Sequence, residues 1–287
     1  MIRALVVVAA LSIGILVPEL SVFSAWIQWI LCAMLFLGFS AVPLSGFRPE
    51  RAHLRLLLAW PLFAVAGWFL LWPVGPQARA AGFLVGATPT ATAAPVVVGL
   101  LGGDAAFATV SLLGSNLVAA LVLPLVLPAL GADRIPSTLP FAARTLAVVL
   151  VPLALAAVAR RLPRSGPVLA RARAASFPLW TLALLLAAAK SSASLRRSGI
   201  GVGVIAWIAA GSALLCACHF LSGRFLGGRE RSLEASQSLG QKNTLLTIWM
   251  GLVAFGPVAA LGPTTYVLWH NLWNAFQLAR KGRVRAG

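Results

Sequence analysis

The sequence predicts an all-α polytopic membrane protein, and three observations carry that prediction. Of 287 residues, 60% are hydrophobic and only 10% are charged, whereas soluble domains carry about 25% charged residues. Apolar runs recur along the chain, each close to the roughly 20 residues that cross a bilayer as a helix. The basic residues also fall unevenly between alternate loops, as they do in membrane proteins.

Charges, prolines and glycines divide the chain into ten candidate spans. They lie near 3–18, 22–46, 54–74, 79–102, 105–130, 138–162, 176–194, 199–226, 234–256 and 259–280. The first span resembles a signal peptide, because Arg3 precedes an apolar core, but no convincing small-residue cleavage site follows. We therefore predict a first membrane helix there, with a signal peptide as the alternative.

Ten spans place both termini on one side of the membrane, and the basic residues support that count. Sixteen of the 23 fall in loops on the side of the termini: Arg3, Arg48, Arg51, Arg55, Arg160, Arg161, Arg164, Arg171, Arg173, Arg224, Arg229, Arg231, Arg280, Lys281, Arg283 and Arg285. Six fall on the other side: Arg79, Arg134, Arg144, Lys190, Arg196 and Arg197. Positive residues collect in cytoplasmic loops. We expect both termini in the cytoplasm, a plasma membrane (the inner membrane in a bacterium), and no nucleic-acid partner for the net charge of +17.

The fourth span, "AAGFLVGATPTATAAPVVVGLLGGD", is not a plain apolar run. Its prolines, Pro89 and Pro95, bracket the hydroxyls of Thr88, Thr90 and Thr92. Proline inside a helix removes a hydrogen bond and clashes with the preceding turn. A kinked helix is one interpretation. An unwound segment is the other, and a membrane accommodates it only against protein or a water-filled cavity.

The ninth span is interrupted at "SQSLGQKN", where Gly240 lies among hydroxyl, amide and ammonium groups. Lys242 is unusual there, because a lysine at the centre of a membrane helix costs about 2.5–3.5 kcal/mol on insertion scales.

The two interrupted spans occupy equivalent places in two sets of five, residues 1–130 and 131–287. An odd number of helices per set makes the second set enter from the opposite side, which predicts a 5+5 inverted repeat. This prediction rests on placement, since the letters show no strong repeat. Paired interrupted spans indicate the substrate site of a transporter.

Three stretches resemble the bile acid:sodium symporter family. They are "ATAAPVVVGLLGGDAAFATVSLLGSNLVAALVLPLVLPAL" at 91–130, "SLGQKNTLL" at 238–246 and "YVLWHNLWNAFQLARKGR" at 266–283. The resemblance implies ten helices in a panel domain and a core domain. It also implies that discontinuous fourth and ninth helices cross at mid-membrane, where two sodium ions and an organic anion bind.

The sodium ligands that this resemblance implies are mostly replaced. The fourth-span Ser-Asn pair falls on Ala94 and Pro95, and the fifth-span hydroxyl ligands fall on Leu112 and Asn116. Of these four residues, only Asn116 offers a side-chain oxygen. Sodium binding is therefore doubtful, and we expect no cofactor and no metal site.

In the ninth span the family glutamate becomes Ser238 and the glutamine becomes Lys242, while Asn243 is kept. Our hypothesis is that the Lys242 ammonium takes the place of a bound cation, holds the crossing together and attracts an anion. Two alternatives stay open. Lys242 could carry a proton, or its side chain could extend to the cytoplasmic interface, eleven residues from Arg231.

We thus expect a secondary transporter that moves a small organic anion by alternating access, independently of sodium. A sodium- or proton-coupled symporter is the alternative. Its expected surroundings are the lipid bilayer and its substrate. The predicted substrate-binding residues are Thr88, Thr90, Thr92, Asn116, Ser238, Lys242 and Asn243.

Enzyme chemistry is not expected. Six scattered acids and three separated histidines supply neither the clustered carboxylates of a magnesium site nor a His-Glu metalloprotease pair. A serine-lysine hydrolase built on Ser238 and Lys242 is the remaining option. The break at Gly240 disfavours it, because it spoils the helical spacing of the two side chains.

Overall fold

The protein is built from helices, as a computed structural model describing residues 2–40, 48–135, 137–162, 165–198 and 201–286 shows. The described α-helices are α1 Ile2–Leu16, α2 Trp26–Ser40, α3 Arg51–Leu70, α4 Pro76–Gly86, α5 Ala94–Leu100, α6 Ala105–Ala129, α7 Thr138–Arg161, α8 Ser165–Ala172, α9 Ser176–Ser198, α10 Val202–Leu226, α11 Ser232–Gly240, α12 Thr244–Ala254 and α13 Pro257–Ala286. These residues contain no strand, only one isolated β-bridge. The predicted all-α class is confirmed.

Six stretches of the described chain are long and apolar enough to cross a membrane. They are Pro18–Ser40, Arg51–Val74, Ala105–Ala129, Thr138–Arg161, Ser165–Ala193 and Val202–Leu226. The other four predicted spans contain α1, the pair α4 and α5, the pair α11 and α12, and α13. Positions 41–46 of the second predicted span, 199–200 of the eighth, and Arg164 lie outside the described residues.

The helices pack in two groups that contact each other where α13 packs on α9. In one, α1 packs on α9, and α2 packs on both α7 and α9. In the other, α3 packs on α4, α10 on α11, and α13 on α4, α10 and α12. Each group contains helices from both 1–130 and 131–287. A shared apolar core connects the groups through Leu35 of α2, Leu123 of α6, Leu184 of α9 and Leu246 of α12, all buried.

Glycine allows α3 and α4 to approach closely. A methyl group added to Gly67 would lie 2.1 Å from the carbonyl oxygen of Gly82, and one added to Gly86 would lie 2.0 Å from that of Phe63. Lipid offers little hydrophobic drive for helix association, so close backbone contact through small residues is a main source of packing energy. This contact fixes the end of α4 against α3.

Ion pairs join the chain at one end of the molecule. Arg231, between α10 and α11, lies 2.5 Å from Glu50 before α3 and 3.1 Å from Asp104 before α6. Its hydrogen bond to Glu50 raises the pKa of the Arg231 guanidinium. At the opposite end, Arg196 donates to the carbonyl oxygen of Ile15 at 3.2 Å.

We expect Gly67→Ala to destabilise the protein, because the added methyl group has no room against the Gly82 carbonyl. The loss of unfolding free energy should be about 1–3 kcal/mol, the usual range for overpacking. Thermal unfolding of the purified protein in detergent measures it. Gly99→Ala is the matched control, since an added methyl group there meets no atom within 4 Å. Equal melting temperatures for the two variants would contradict this account of the contact.

Candidate functional site

The structure has a break at each of the two places that the sequence indicated. The first runs from 87 to 93, after α4 ends at Gly86 and before α5 begins at Ala94. Pro95 lies in the first turn of α5, where the absence of an N–H costs nothing. The second break is shorter, from 241 to 243. It follows Gly240, where an added methyl group would lie 2.3 Å from the Phe220 ring.

The two breaks lie side by side and pair with each other. The Ala91 N–H donates to the carbonyl oxygen of Gln241 at 2.9 Å, and the Asn243 N–H donates to that of Pro89 at 2.7 Å. Between these bonds, Thr90 and Lys242 form an antiparallel bridge. Unwound backbone is tolerated at membrane depth only where its polar groups find partners in protein or water. Here each break supplies partners for the other.

Side chains donate hydrogen bonds to carbonyl oxygens of the first break that the backbone pairing does not use. The Lys242 Nζ atom donates to the carbonyl oxygen of Thr88 at 2.9 Å. The Trp60 indole donates to that of Ala87 at 2.9 Å. The crossing is therefore held by donors from several helices.

Two further donors complete the set. Asn116 of α6 donates to the carbonyl oxygen of Thr90 at 2.8 Å. The Tyr266 hydroxyl of α13 donates to that of Gly240 at 2.8 Å. Gly240 is the last residue of α11, so its carbonyl group belongs to the negative pole of that helix dipole.

Lys242 is buried, with 3% of its surface exposed. The alternative that its side chain extends to the cytoplasmic interface is therefore wrong. The reason is the bond to Thr88, a partner 154 positions away in the sequence, which draws the ammonium into the crossing.

Asn116 and Asn243 form a second link across the crossing. Asn243 Nδ2 donates to Asn116 Oδ1 at 2.8 Å, and both amides are buried. Asn116 Nδ2 is shared between the carbonyl oxygens of Thr90 and Leu112. The Asn243 amide therefore binds protein, not solvent.

The three threonines of the first break have different surroundings. Thr88 Oγ1 donates to the carbonyl oxygen of Leu84 at 2.5 Å and contacts Thr247 Oγ1 at 2.8 Å. Thr90 Oγ1 donates to the carbonyl oxygen of Ser238 at 2.7 Å. Thr92 instead packs against α2: a methyl group added to Gly38 would lie 2.6 Å from Thr92 Cγ2.

A cavity of about 230 Å³ lies beside the crossing. Its lining comes from α3, the first break, α6, α11 and Lys242: Pro49, His53, Leu56, Leu57, Trp60, Thr88, Pro89, Thr90, Val110, Ser111, Gly114, Ser115, Ser238, Leu239 and Lys242. Of the seven predicted binding residues, four line this cavity: Thr88, Thr90, Ser238 and Lys242. Thr92, Asn116 and Asn243 do not.

Sequence reasoning missed the contribution of α6 to the cavity. Ser111, Gly114 and Ser115 all line it, whereas the family pattern pointed to Leu112 and Asn116. Positions three and four apart share a face of a helix, so small and polar residues at this spacing in an apolar span are the signal that could have revealed the lining.

Backbone oxygens at the crossing are engaged in hydrogen bonds with protein donors. The described residues contain no group of three His, Cys, Asp or Glu side chains that could hold one. The carbonyl oxygens of Thr88 and Thr90 already accept hydrogen bonds from Lys242 and Asn116. The three cysteines are free thiols.

The serine-lysine pairing required for a hydrolase is not made. Within the described part of the chain, Ser238 Oγ is buried without a hydrogen-bond partner, and Lys242 Nζ donates to Thr88. A nucleophilic serine needs a base within hydrogen-bond reach.

A scan against models of known protein families finds no match for this chain, and a search of curated proteins finds none either. The resemblance to the bile acid:sodium symporter family therefore stays a prediction from the residues. The function has to be argued from the geometry of the crossing and its cavity.

We expect Asn116→Leu to destabilise the fold by about 1–3 kcal/mol, because it leaves Asn243 Nδ2 and the Thr90 carbonyl oxygen buried and unpaired. Thermal unfolding measures the change. Asn271→Leu is the control, since Asn271 donates only within its own helix, to Val267. The double variant Asn116→Leu with Asn243→Leu should lose less stability than the sum of the single variants. Strict additivity would show that the two amides do not interact.

Proposed function

We propose that this protein is a secondary transporter that carries a small organic anion across the plasma membrane by alternating access, independently of sodium. In this proposal ten membrane helices form a 5+5 inverted repeat with cytoplasmic termini. The fourth and ninth spans cross, and the ammonium of Lys242 takes the place of a bound cation. The hydrogen bond from Lys242 Nζ to the Thr88 carbonyl oxygen, 2.9 Å long at the crossing, is the observation that carries it.

The paired breaks support a transport role, because a bundle with a purely structural role would gain stability from continuous helices. Two continuous helices would satisfy their own backbone bonds without help. Here the breaks instead require Trp60, Asn116, Tyr266 and Lys242 to supply hydrogen bonds. Discontinuous helices that meet near mid-membrane are typical of transporter substrate sites.

The packing order supports the inverted repeat. The first span packs on the seventh and the second on the sixth, as α1 on α9 and α2 on α7. The third packs on the fourth and the eighth on the ninth, as α3 on α4 and α10 on α11. The second part of each broken span then packs on the span that follows it. If each span of the first set is exchanged with its counterpart in the second, so that the first becomes the sixth and so on, the same pairings result.

The electrostatics support an anionic substrate. The cavity lining contains one buried ammonium, and none of the described lining residues is an aspartate or glutamate. A buried charge is costly unless it is paired, and an unpaired ammonium in a transporter cavity favours a negatively charged solute. Since the cation is part of the chain, sodium would not be needed to supply it.

We expect Lys242→Gln to lower uptake of organic acids by about tenfold or more in proteoliposomes, because a charged hydrogen-bond donor is lost from the site. Uptake and melting temperature of the unaltered protein should be the same in sodium and in potassium. Lys190→Gln is the matched control, since this half-buried lysine of α9 lies outside the cavity lining.

A melting temperature that rises with sodium, together with unchanged uptake by Lys242→Gln, would contradict the proposal and indicate a sodium symporter. Uptake that requires a pH gradient and disappears in Lys242→Gln would replace it with proton-coupled transport.

A further inference from the structure

We propose that the cavity beside the crossing is a binding site for a short-chain monocarboxylate, held by Lys242, Ser111 and Ser238. This inference rests on the proposed transport function, whose substrate class it specifies. The three side chains come from different places in the chain: Ser111 from α6, Ser238 from α11, and Lys242 from the second break. All three line the same cavity.

The two serines have free hydrogen-bonding capacity. Ser111 is 9% exposed and Ser238 is 2% exposed, yet neither Oγ atom has a partner among the described residues. Buried hydroxyl groups in native structures are nearly always bonded. The neighbouring hydroxyls of Thr88, Thr90 and Ser115 are all bonded to protein. The two exceptions therefore indicate where a ligand supplies the missing acceptors.

The ammonium has free capacity too. A lysine carries three N–H donors, and the Thr88 carbonyl oxygen takes one of them. One cation with two hydroxyl donors matches a single carboxylate group, which has two oxygens and about four acceptor sites. Charged hydrogen bonds of this kind are stronger than neutral ones.

The cavity offers no second charge to its ligand. His53 also lines it, but its Nδ1 accepts from the Glu50 N–H at 2.9 Å and its Nε2 lies 3.0 Å from the Phe107 carbonyl oxygen. A ring with an accepting Nδ1 and a donating Nε2 is neutral and fully occupied. A dicarboxylate would therefore bury one charge without a partner, which the site disfavours.

The rest of the lining is apolar and the space is small. Leu56, Trp60, Val110 and Leu239 form walls without free polar groups in the described lining. The volume of about 230 Å³ is below the roughly 300–1,000 Å³ of pockets for drug-sized ligands. A short alkyl chain therefore suits these walls and this volume better than a polycyclic acid does.

Equilibrium binding to the purified full-length protein in nanodiscs tests the site, with butyrate as the probe and isothermal titration calorimetry as the measurement. Butyrate should bind, whereas butyramide and succinate should bind at least tenfold more weakly. Ser111→Ala and Ser238→Ala should each weaken butyrate binding by about tenfold. Ser212→Ala is the matched control: Ser212 is also buried, but it bonds to the Gly262 carbonyl oxygen away from the cavity.

Gly114 gives a second test that does not remove a polar group. It lines the cavity, and a methyl group added to it meets no atom within 4 Å. Gly114→Leu should therefore keep its fold and its binding of acetate, but lose binding of hexanoate by at least tenfold. Gly114→Ala should change hexanoate binding much less.

Equal binding of butyrate and butyramide, or unchanged butyrate affinity in both serine variants, would overturn the proposed ligand. Hexanoate affinity that is the same in Gly114→Leu as in the unaltered protein would also overturn it. These results would leave the transport proposal standing if sodium-independent uptake of another organic acid persists. Butyrate binding as expected, without uptake of any organic acid, supports the ligand site and overturns the transport proposal.

Discussion

The requirement that buried backbone be hydrogen-bonded governs this structure. The chain has two breaks between buried helices, at 87–93 and at 241–243, and a break in an apolar interior leaves N–H and carbonyl groups that water cannot reach. The chain meets the requirement by laying the breaks against each other, with Thr90 opposite Lys242. Each break depends on the other for hydrogen bonds: the Ala91 N–H donates to the Gln241 carbonyl oxygen, and the Asn243 N–H donates to that of Pro89.

A covalently attached cation changes what the crossing can do. A bound ion could leave such a crossing, and its departure would leave the carbonyl oxygens around it without a cation. The Lys242 side chain is part of the chain and cannot leave, so its nitrogen stays at the crossing. It also keeps two N–H donors beyond the bond to Thr88. The same group can therefore stabilise the fold and meet a solute in the cavity.

The polar residues near the crossing fall into two sets: some hold the two breaks together, and others line the cavity. Asn116 and Asn243 bond to each other and to backbone, which makes them supports of the crossing. Ser111 and Ser238 line the cavity and have buried hydroxyls without a hydrogen-bond partner among the described residues. This division separates residues whose loss should damage folding from residues whose loss should damage ligand binding.

The sequence by itself determined the all-helical class and the positions of both breaks, because run length, proline and glycine act locally. It did not determine where Lys242 points, since a lysine near Arg231 can reach an interface unless a distant carbonyl group draws it inward. Nor did it separate Thr92, which packs against Gly38, from Thr88 and Thr90, which line the cavity. Those outcomes depend on which helices become neighbours, and only the tertiary structure decided that.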